Sequence, residues 1–464
     1  MTPSRRAFLR AGALAGGALA FGPLRALEAL AQTAGDPREI NRRPGVGQGP
    51  HAPEEWGAGA PREINMALRA PGNAGLGALR PAGRELALPP GFRYLRFGAT
   101  GVPLTNGNPT PAAHDGMAAF PGPGGTIRLV RNHEENRGRP FGGRAYDPAA
   151  AGGTTNLVFD PRAGLVAAYP SLTGTLRNCG GGPTPWGTWL SAEETTAGLA
   201  HGFRRPHGYC FEVPSWATSP VQASPLKAMG RFKHEAVCVD PATGIVYETE
   251  DQEEAGVYRF LPNKRGVLAA GGRLQMLALD GRPGFSAGDE AQPGMQVGVH
   301  WVDIGDPDPG NAGENEKAVF DQGRRRGGAA FRRLEGCYWH QGRAVIISTT
   351  GGRARMGQVW EYRPGPRGGQ LRLAFQSPSS KVLRMADNVT SAPWGGLLFC
   401  EDGRGPDHLR GLTRNGKIFD LARNRFSDGE FAGATFSPDG SWLFVNVQRP
   451  GVTFAITGPW AKIG

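Results

Sequence analysis

Short apolar runs that alternate with tight turns recur from Leu86 onward in this 464-residue chain. In VCVDPATGIVYETED an Asp-Pro turn is followed at once by alternating apolar residues, which is the pattern of a β-hairpin. Because 73 glycines and 40 prolines interrupt helical periodicity, we expect an all-β fold. Repetition of the unit predicts a β-propeller with six blades, and a two-sheet sandwich is the alternative. Related units are VFDPRAGLVAAYP, GQVWEYRPG, LLFCEDG and FSPDGSWLFVNVQ.

The first part of the chain has a different character. SRRAFLR at Ser4–Arg10 precedes an apolar stretch and a small-residue site at Ala29–Ala31, which predicts a cleaved twin-arginine signal peptide over residues 1–31. Residues 32–84 are rich in Pro, Gly and Ala, so we expect an extended lead, with the propeller domain over residues 85–464. The apolar stretch is interrupted short of the ~20 residues that span a membrane. We therefore expect contact with the Tat export machinery, no stable membrane anchor, and a periplasmic or secreted protein.

The charge balance favours small anions over nucleic acid as partners. The formal net charge is +11, and loss of four arginines and one glutamate with the predicted signal would leave about +8. The arginines are scattered, and no nucleic-acid recognition motif accompanies them. A mildly cationic surface attracts small anions by its field. We expect a monomer that acts on small molecules.

The stretch Cys179–Glu194, CGGGPTPWGTWLSAEE, predicts a loop that enters a strand. Its glycines and prolines exclude a helix, and successive strand residues point to opposite faces, so Glu193 and Glu194 would face opposite sides. The five cysteines are at positions 179, 210, 238, 337 and 400, an odd number, and of these Cys179 stands in a glycine loop. A metal-holding loop is one interpretation of the stretch. A turn closed by a buried cysteine is the other.

Acidic motifs also end several other predicted strands. In a propeller such positions gather around one axis, where carboxylates repel one another unless cations neutralise them, and oxygen ligands suit calcium or magnesium. The thiolate of Cys179 is a softer ligand and adds a transition metal to the expectation. Solvated turns are the alternative for any single motif. The candidate metal ligands are Glu134, Cys179, Glu193, Glu194, Glu235, Glu250, Asp251, Glu335, Asp387, Asn388, Glu401 and Asp402.

The signal, the NHE triplet and the blocks CGGGPTPWGTW, RFKHEAVCVDPATGIVYETED, RRLEGCYW and CEDG together resemble the PhoX family of exported alkaline phosphatases. The resemblance implies a six-bladed propeller that hydrolyses phosphate monoesters by an oxo or hydroxide group in a cluster of Fe(III) and Ca(II). It assigns Cys179, Glu235 and Glu335 to iron and makes Arg333 the phosphate-binding, catalytic arginine. Carboxylates that iron and calcium would share are Glu193 or Glu194, Glu134, Asp387 and Glu401.

Two other functions stay open at this stage. A propeller lactonase or related calcium hydrolase would also gather carboxylates at the axis, although it has no use for a thiolate ligand. A non-catalytic propeller could hold metals only to join its blades while it binds partners. Iron content separates the first alternative from a phosphatase, and turnover of phosphate esters separates the second.

Overall fold

The structure, a computed structural model, describes residues 71–463. The predicted signal peptide and residues 32–70 of the predicted lead lie outside the described residues. Within them the protein is almost entirely β, with two short α-helices, and none of the described helices is long and apolar enough to cross a membrane. The helices are α1 (Ala287–Glu290) and α2 (Ala318–Arg325), and 3-10 turns lie at Pro123–Gly125, Leu199–His201, Lys227–Met229, Leu268–Ala270 and Trp460–Lys462.

Antiparallel strand sets follow one another along the chain, after three strands that join sheets formed later. Those three are Arg80–Pro81 (β1), Leu86–Leu88 (β2) and Arg93–Phe97 (β3). The first set is His114–Pro121 (β4), Ile127–His133 (β5), Gly152–Asp160 (β6) and Gly164–Thr175 (β7). The second set is Gly182–Pro183 (β8), Thr188–Ala192 (β9) and Cys210–Pro214 (β10). The third set is His234–Val239 (β11), Val246–Glu250 (β12), Val257–Pro262 (β13) and Gly272–Leu279 (β14).

The remaining strands form a linking strand and three more sets. The link is Gln296–Asp303 (β15), which pairs with an outer strand of the third set and of the fourth. The fourth set is Leu334–His340 (β16), Arg343–Ser348 (β17), Gln358–Gly365 (β18) and Gly368–Gln376 (β19). The fifth set is Ala386–Ser391 (β20), Leu397–Glu401 (β21), His408–Leu412 (β22) and Ile418–Asn424 (β23). The sixth set is Phe431–Phe436 (β24), Leu443–Val447 (β25) and Val452–Thr457 (β26).

The first strands of the sets form a ring. β4 contacts β8, β8 contacts β11, and the contacts continue through β16, β20 and β24 back to β4. The ring is completed by β3, which pairs with β26 and so joins the start of the described chain to its last set. This closed arrangement is a β-propeller and not the alternative two-sheet sandwich. The count of six blades stays a prediction, which the six strand sets support.

Residues 71–84 pack on the fold, although the sequence predicted them as part of the lead. β1 pairs with β2, β2 pairs with β23, and Gly72 forms a bridge to Phe419. Leu76 is buried in the apolar core that this sheet shares with the sixth set. The boundary predicted at residue 84 therefore falls inside a structured segment, and the division into domains otherwise stays a prediction.

Polar side chains tie the first strands of neighbouring sets together. Each lies on the second strand of its own set or directly after it, and donates to a backbone carbonyl in or beside the first strand of the next set. Such buried donors and acceptors satisfy one another, which fixes the separation of the first strands. Four bonds of 2.6 Å run from Asn132 to Cys179, from Thr249 to Glu335, from Thr349 to Ala386 and from Asn446 to Asp115.

We expect the close approach of β24 to β4 to be intolerant of a side chain. A Cβ on Gly433, whose φ is +60°, would lie 2.3 Å from the carbonyl oxygen of Asp115. Gly101 is the matched control, because its φ is +82° and a Cβ there meets nothing within 4 Å. Gly101→Ala should cost about 1 kcal/mol of unfolding free energy through its positive φ. Gly433→Ala should cost about 2 kcal/mol more through overpacking. Urea unfolding in one metal-containing buffer compares them, and equal losses would contradict the close approach.

Candidate metal centre

A β-bulge interrupts the first strand of five sets at the same place. In each of these strands the pairing with the second strand skips two residues, after the first or second paired residue. Such a bulge changes the direction of the side chains at the skipped positions. In four of the five bulges the first skipped residue is acidic, and in the fifth it is Gly433. The acidic residues are Asp115 in β4, Glu235 in β11, Glu335 in β16 and Asp387 in β20.

These four carboxylates meet three further side chains. Cys179 precedes the short first strand of the second set, and Glu134 and Glu194 follow the second strands of the first and second sets. Three overlapping groups, each with ligand atoms within 4.8 Å of one another, connect all seven residues. The groups are Asp115–Glu134–Cys179, Cys179–Glu194–Glu235 and Glu235–Glu335–Asp387. We call these seven residues the axial cluster.

The axial cluster has the chemistry of a cation site. Both carboxylate oxygens of Glu235 are buried and have no hydrogen-bond partner in the described residues. Burial, followed by the charges of Asp387 and Glu194, raises the pKa of Glu235 well above its usual value. Burial also raises the pKa of Asp115 to about 6, and those of Glu134 and Glu194 to about 7. Unpartnered buried carboxylates are costly, so cations fit this donor set.

The donor types also suit two kinds of metal. Six carboxylates offer the hard oxygen ligands that calcium prefers. Cys179 offers sulfur, and burial with the charges of Asp115 and Glu235 raises the pKa of its thiol well above the usual value. A thiolate in such surroundings needs a cation to stabilise it.

Adjacent acidic residues at the strand ends face opposite sides, as the alternation of a strand requires. Glu194, Asp251 and Asp402 face the axial side, where each interacts electrostatically with members of the axial cluster. Their neighbours Glu193, Glu250 and Glu401 face the interior of their own sets.

Hydrogen bonds from other protein groups satisfy the three carboxylates that face the interior of their own sets. Glu193 accepts from the backbone of Leu176 and Gly208 and from His207. Glu250 accepts from the backbone of Gly256 and from Tyr258, and Glu401 from the backbone of Arg384 and from Arg410. Asn388 is also occupied, since it donates to Asp387 and accepts from the backbone of Gly433. Hydrogen bonds within the protein therefore occupy four of the predicted metal ligands, which do not belong to the axial cluster: Glu193, Glu250, Asn388 and Glu401.

Arg333 lies directly before β16, at the edge of the axial cluster. Its Nε and Nη2 donate to the two oxygens of Asp251 at 3.1 and 3.0 Å, and Nη2 also donates to Glu335 at 2.5 Å. Its φ is +42°, in the left-handed region that non-glycine residues rarely adopt. Such strain persists where the surroundings hold the residue firmly, often at functional sites.

Arg177 occupies the position in the second set that Arg333 occupies in the fourth. It stands two residues before Cys179, and its φ is +47°. Its Nη2 lies 3.0 Å from Glu134 and also contacts Glu194, while about a third of its side chain stays exposed. Two arginines at equivalent positions therefore border the carboxylates, with part of each side chain open to solvent.

Sequence reasoning missed three residues at this site. Asp115 opens the bulge of β4, and its HDGM segment parallels HEAV around Glu235 and LEGC around Glu335, so alignment of the three segments could have found it. Glu430 lies close to Asp402 and Asp387, and their charges contribute to raising its pKa after burial. Arg177 gave no signal in a sequence where arginine is common.

An axial group of carboxylates with one thiolate, on a propeller, is the arrangement of a metal-dependent enzyme. The family model for alkaline phosphatase PhoX matches residues 77–164 and 151–451. The chain belongs to the PhoX family of alkaline phosphatases and is thus a phosphoric monoester hydrolase. Family membership favours this activity over the lactonase and over a non-catalytic propeller. No curated protein sequence matches the chain.

Three similar solved structures differ in how far they match, and the first of them shares the fold. PhoX of Pseudomonas fluorescens in complex with vanadate, a transition state analogue, is 17% identical with a TM-score of 0.63, covering 82% of this chain and 97% of that one. A gluconolactonase of Xanthomonas campestris is 12% identical with a TM-score of 0.42, covering 82% and 99%. A virginiamycin B lyase of Staphylococcus aureus is 12% identical with a TM-score of 0.41, covering 79% and 99%.

We expect Glu235→Gln to change stability in opposite directions with and without cations. In a chelator the substitution removes a carboxyl group whose raised pKa makes folding take up a proton, so the melting temperature should rise by several degrees, the equivalent of about 1–2 kcal/mol. With cations bound it removes a ligand, so the melting temperature should fall. Glu401→Gln is the control and should lower the melting temperature in both buffers, because Glu401 is hydrogen-bonded to protein donors. Calorimetry in paired buffers measures both variants. A Glu235→Gln protein that melts lower in both would contradict the site.

Proposed function

We propose that the axial cluster binds Fe(III) and Ca(II) and hydrolyses small phosphate monoesters. The observation that carries the proposal is Glu235, whose two unpartnered, buried oxygens lie between the thiol of Cys179 and the carboxylates of Glu335 and Asp387. Carboxylate oxygens in that position have no partner unless cations bind them. The complex of the similar Pseudomonas fluorescens PhoX with vanadate, a transition state analogue, supports phosphoryl chemistry for this chain.

The proposed ligands divide by chemistry. Cys179 with Glu235 and Glu335 forms the iron side, because sulfur is the soft donor of the set. The all-oxygen remainder suits calcium. The calcium-side and shared ligands are Asp115, Glu134, Glu194 and Asp387, with Asp251, Asp402 and Glu430 at the periphery.

Phosphoryl transfer requires positive charge on the phosphoryl oxygens and a nucleophile held in line. Cations held by Cys179 and the carboxylates of the axial cluster would supply part of that charge and would activate water. Arg333 supplies another part through Nη1, whose two hydrogens can donate to phosphate oxygens while Nε and Nη2 hold Asp251 and Glu335. Asp251 fixes its orientation through two parallel hydrogen bonds. Arg177, held by Glu134 and Glu194, offers a second guanidinium across the axial cluster.

The cellular context is part of the same proposal. Export by the twin-arginine route would deliver a folded protein with its cations already bound, and the substrates would be phosphate esters outside the cytoplasm. We propose a monomer without a stable membrane anchor.

We expect Arg333→Lys and Arg333→Ala to lower kcat/KM on the order of a hundredfold, by the scale of single transition-state donors. Lysine keeps the charge and cannot reproduce the planar fork. Metal content should change little, since the arginine contacts carboxylates without serving as a ligand. Arg332→Ala is the control, because the side chain of Arg332 lies against Gly288 and not in the axial cluster. Steady-state kinetics with an aryl phosphate measure kcat/KM, and metal analysis measures the bound ions. Near-normal turnover in Arg333→Ala would contradict the catalytic role of Arg333.

We expect a visible absorption band in the exported protein, from thiolate-to-iron charge transfer at Cys179. Cys179→Ser should abolish the band together with activity. Cys238→Ser is the control, because Cys238 lies in an apolar core beside Cys337 and its substitution should affect packing alone. Absorption spectra and iron content of the three proteins provide the measurement. A colourless wild-type protein with full activity would contradict the assignment of iron.

A further inference from the structure

A second group of metal-type side chains lies in the core between the second and third sets. Cys210 opens β10, His234 opens β11, and Glu248 lies within β12. All three are fully buried. Their ligand atoms lie within 4.8 Å of one another, and none of the three belongs to the axial cluster. Three separate strands therefore bring a thiol, an imidazole and a carboxylate to one point in the buried core.

The histidine ring is held so that one nitrogen faces the other two groups. His234 Nε2 lies 3.1 Å from the carbonyl oxygen of Gly230, and donation to that oxygen leaves the lone pair on Nδ1, the nitrogen that contacts Cys210 and Glu248. The ring also stacks on Phe232, with centroids 3.7 Å apart. A backbone carbonyl that orients the second ring nitrogen is the usual support for a metal-ligating histidine. Nδ1 then lies 3.5 Å from the sulfur of Cys210 and 3.3 Å from Oε2 of Glu248.

Glu248 supplies the second, independent observation. Both of its oxygens are buried without a hydrogen-bond partner, although Nδ1 of His234 is only 3.3 Å from one of them. The two groups are thus close but not aligned as donor and acceptor. A buried carboxylate in this condition is costly unless a positive charge compensates it. By contrast Glu250, on the same strand, has donors at both oxygens.

We propose that Cys210, His234 and Glu248 bind a divalent transition metal of the zinc class. Ligand bonds of about 2.0–2.3 Å in a tetrahedron place nitrogen and oxygen about 3.4 Å apart, and nitrogen and sulfur about 3.5 Å apart. The distances of 3.3 and 3.5 Å match both edges. Mixed sulfur, nitrogen and oxygen donors favour zinc over calcium or magnesium.

The site is structural and separate from hydrolysis. His234 faces the core cluster that includes Phe232 and Tyr258, whereas the adjacent Glu235 faces the axial cluster from within the bulge. One ion would join β10 to β11 and β12, and so link two neighbouring sets. Because the ligands are fully buried, the ion would enter as the protein folds. Failure of this proposal leaves the proposed phosphatase site untouched.

The test uses the full-length protein with the Cys179→Ala substitution, which removes the axial thiolate. Cobalt added during expression or refolding replaces zinc and reports sulfur ligation by a charge-transfer band. We expect about one tightly bound zinc per chain in the zinc-grown protein, and the sulfur band in the cobalt form. X-ray absorption at the zinc edge should show one sulfur among nitrogen and oxygen neighbours.

Further substitutions in the Cys179→Ala protein test which residues bind the ion. Cys210→Ala should lose the band and the ion, and Glu248→Gln, which keeps the volume, should lose most of the bound zinc. The controls Cys238→Ala and Glu250→Gln should keep both. Circular dichroism establishes that each variant is folded. A folded Cys210→Ala protein with unchanged zinc, or a Cys179→Ala protein with no zinc–sulfur signal, would overturn the proposal in favour of a metal-free network.

Discussion

Repulsion among buried carboxylates at the axis is the constraint on which the rest of this structure depends. Seven potential ligands, six of them acidic, lie within contact range in a region where burial raises their pKa values. The strand sets can hold them there because polar ties between neighbouring first strands fix the ring independently of the acids. The hydrogen-bonded strands therefore stay together against the electrostatic repulsion between the carboxylates. Bound cations would replace this repulsion with attraction.

A single local device positions most of the site. A β-bulge interrupts five of the first strands and supplies an acidic residue in four of them. Left-handed residues directly precede three of these strands, at Ala113, Arg333 and Met385, and Arg177 has the same conformation before Cys179, in a set whose first strand has no bulge. The repeated bulge thus positions the four carboxylates, and the left-handed conformation is shared by the two bordering arginines. Differences between sets, such as a thiol in the second and glycine in the sixth, then give each position its own chemistry.

The sequence predicted those site residues that a local motif reveals. It did not predict which side chains face the axis, because that depends on strand register. Strand-end motifs located Glu235 and Glu335 because an acid beside an apolar run is visible in the sequence, and the glycine loop singled out Cys179. Alternation indicated that Glu193 and Glu194 face opposite sides, but it could not say which side holds the axis. That choice depends on which neighbour the strand pairs with, and His207 and two backbone amides satisfy Glu193 from a distance in sequence. Asp115 could have been found in the sequence only by aligning its HDGM segment with HEAV and LEGC.

Closure of the ring also sets an order of assembly. β3, near the start of the described chain, completes the sheet of β26, close to its end. Asn446 in the sixth set secures the carbonyl of Asp115 in the first. The carbonyl of Asp115 therefore has its partner only when the sixth set is in place. Cation binding at the axial cluster would thus depend on closure of the ring as well as on the ligands themselves.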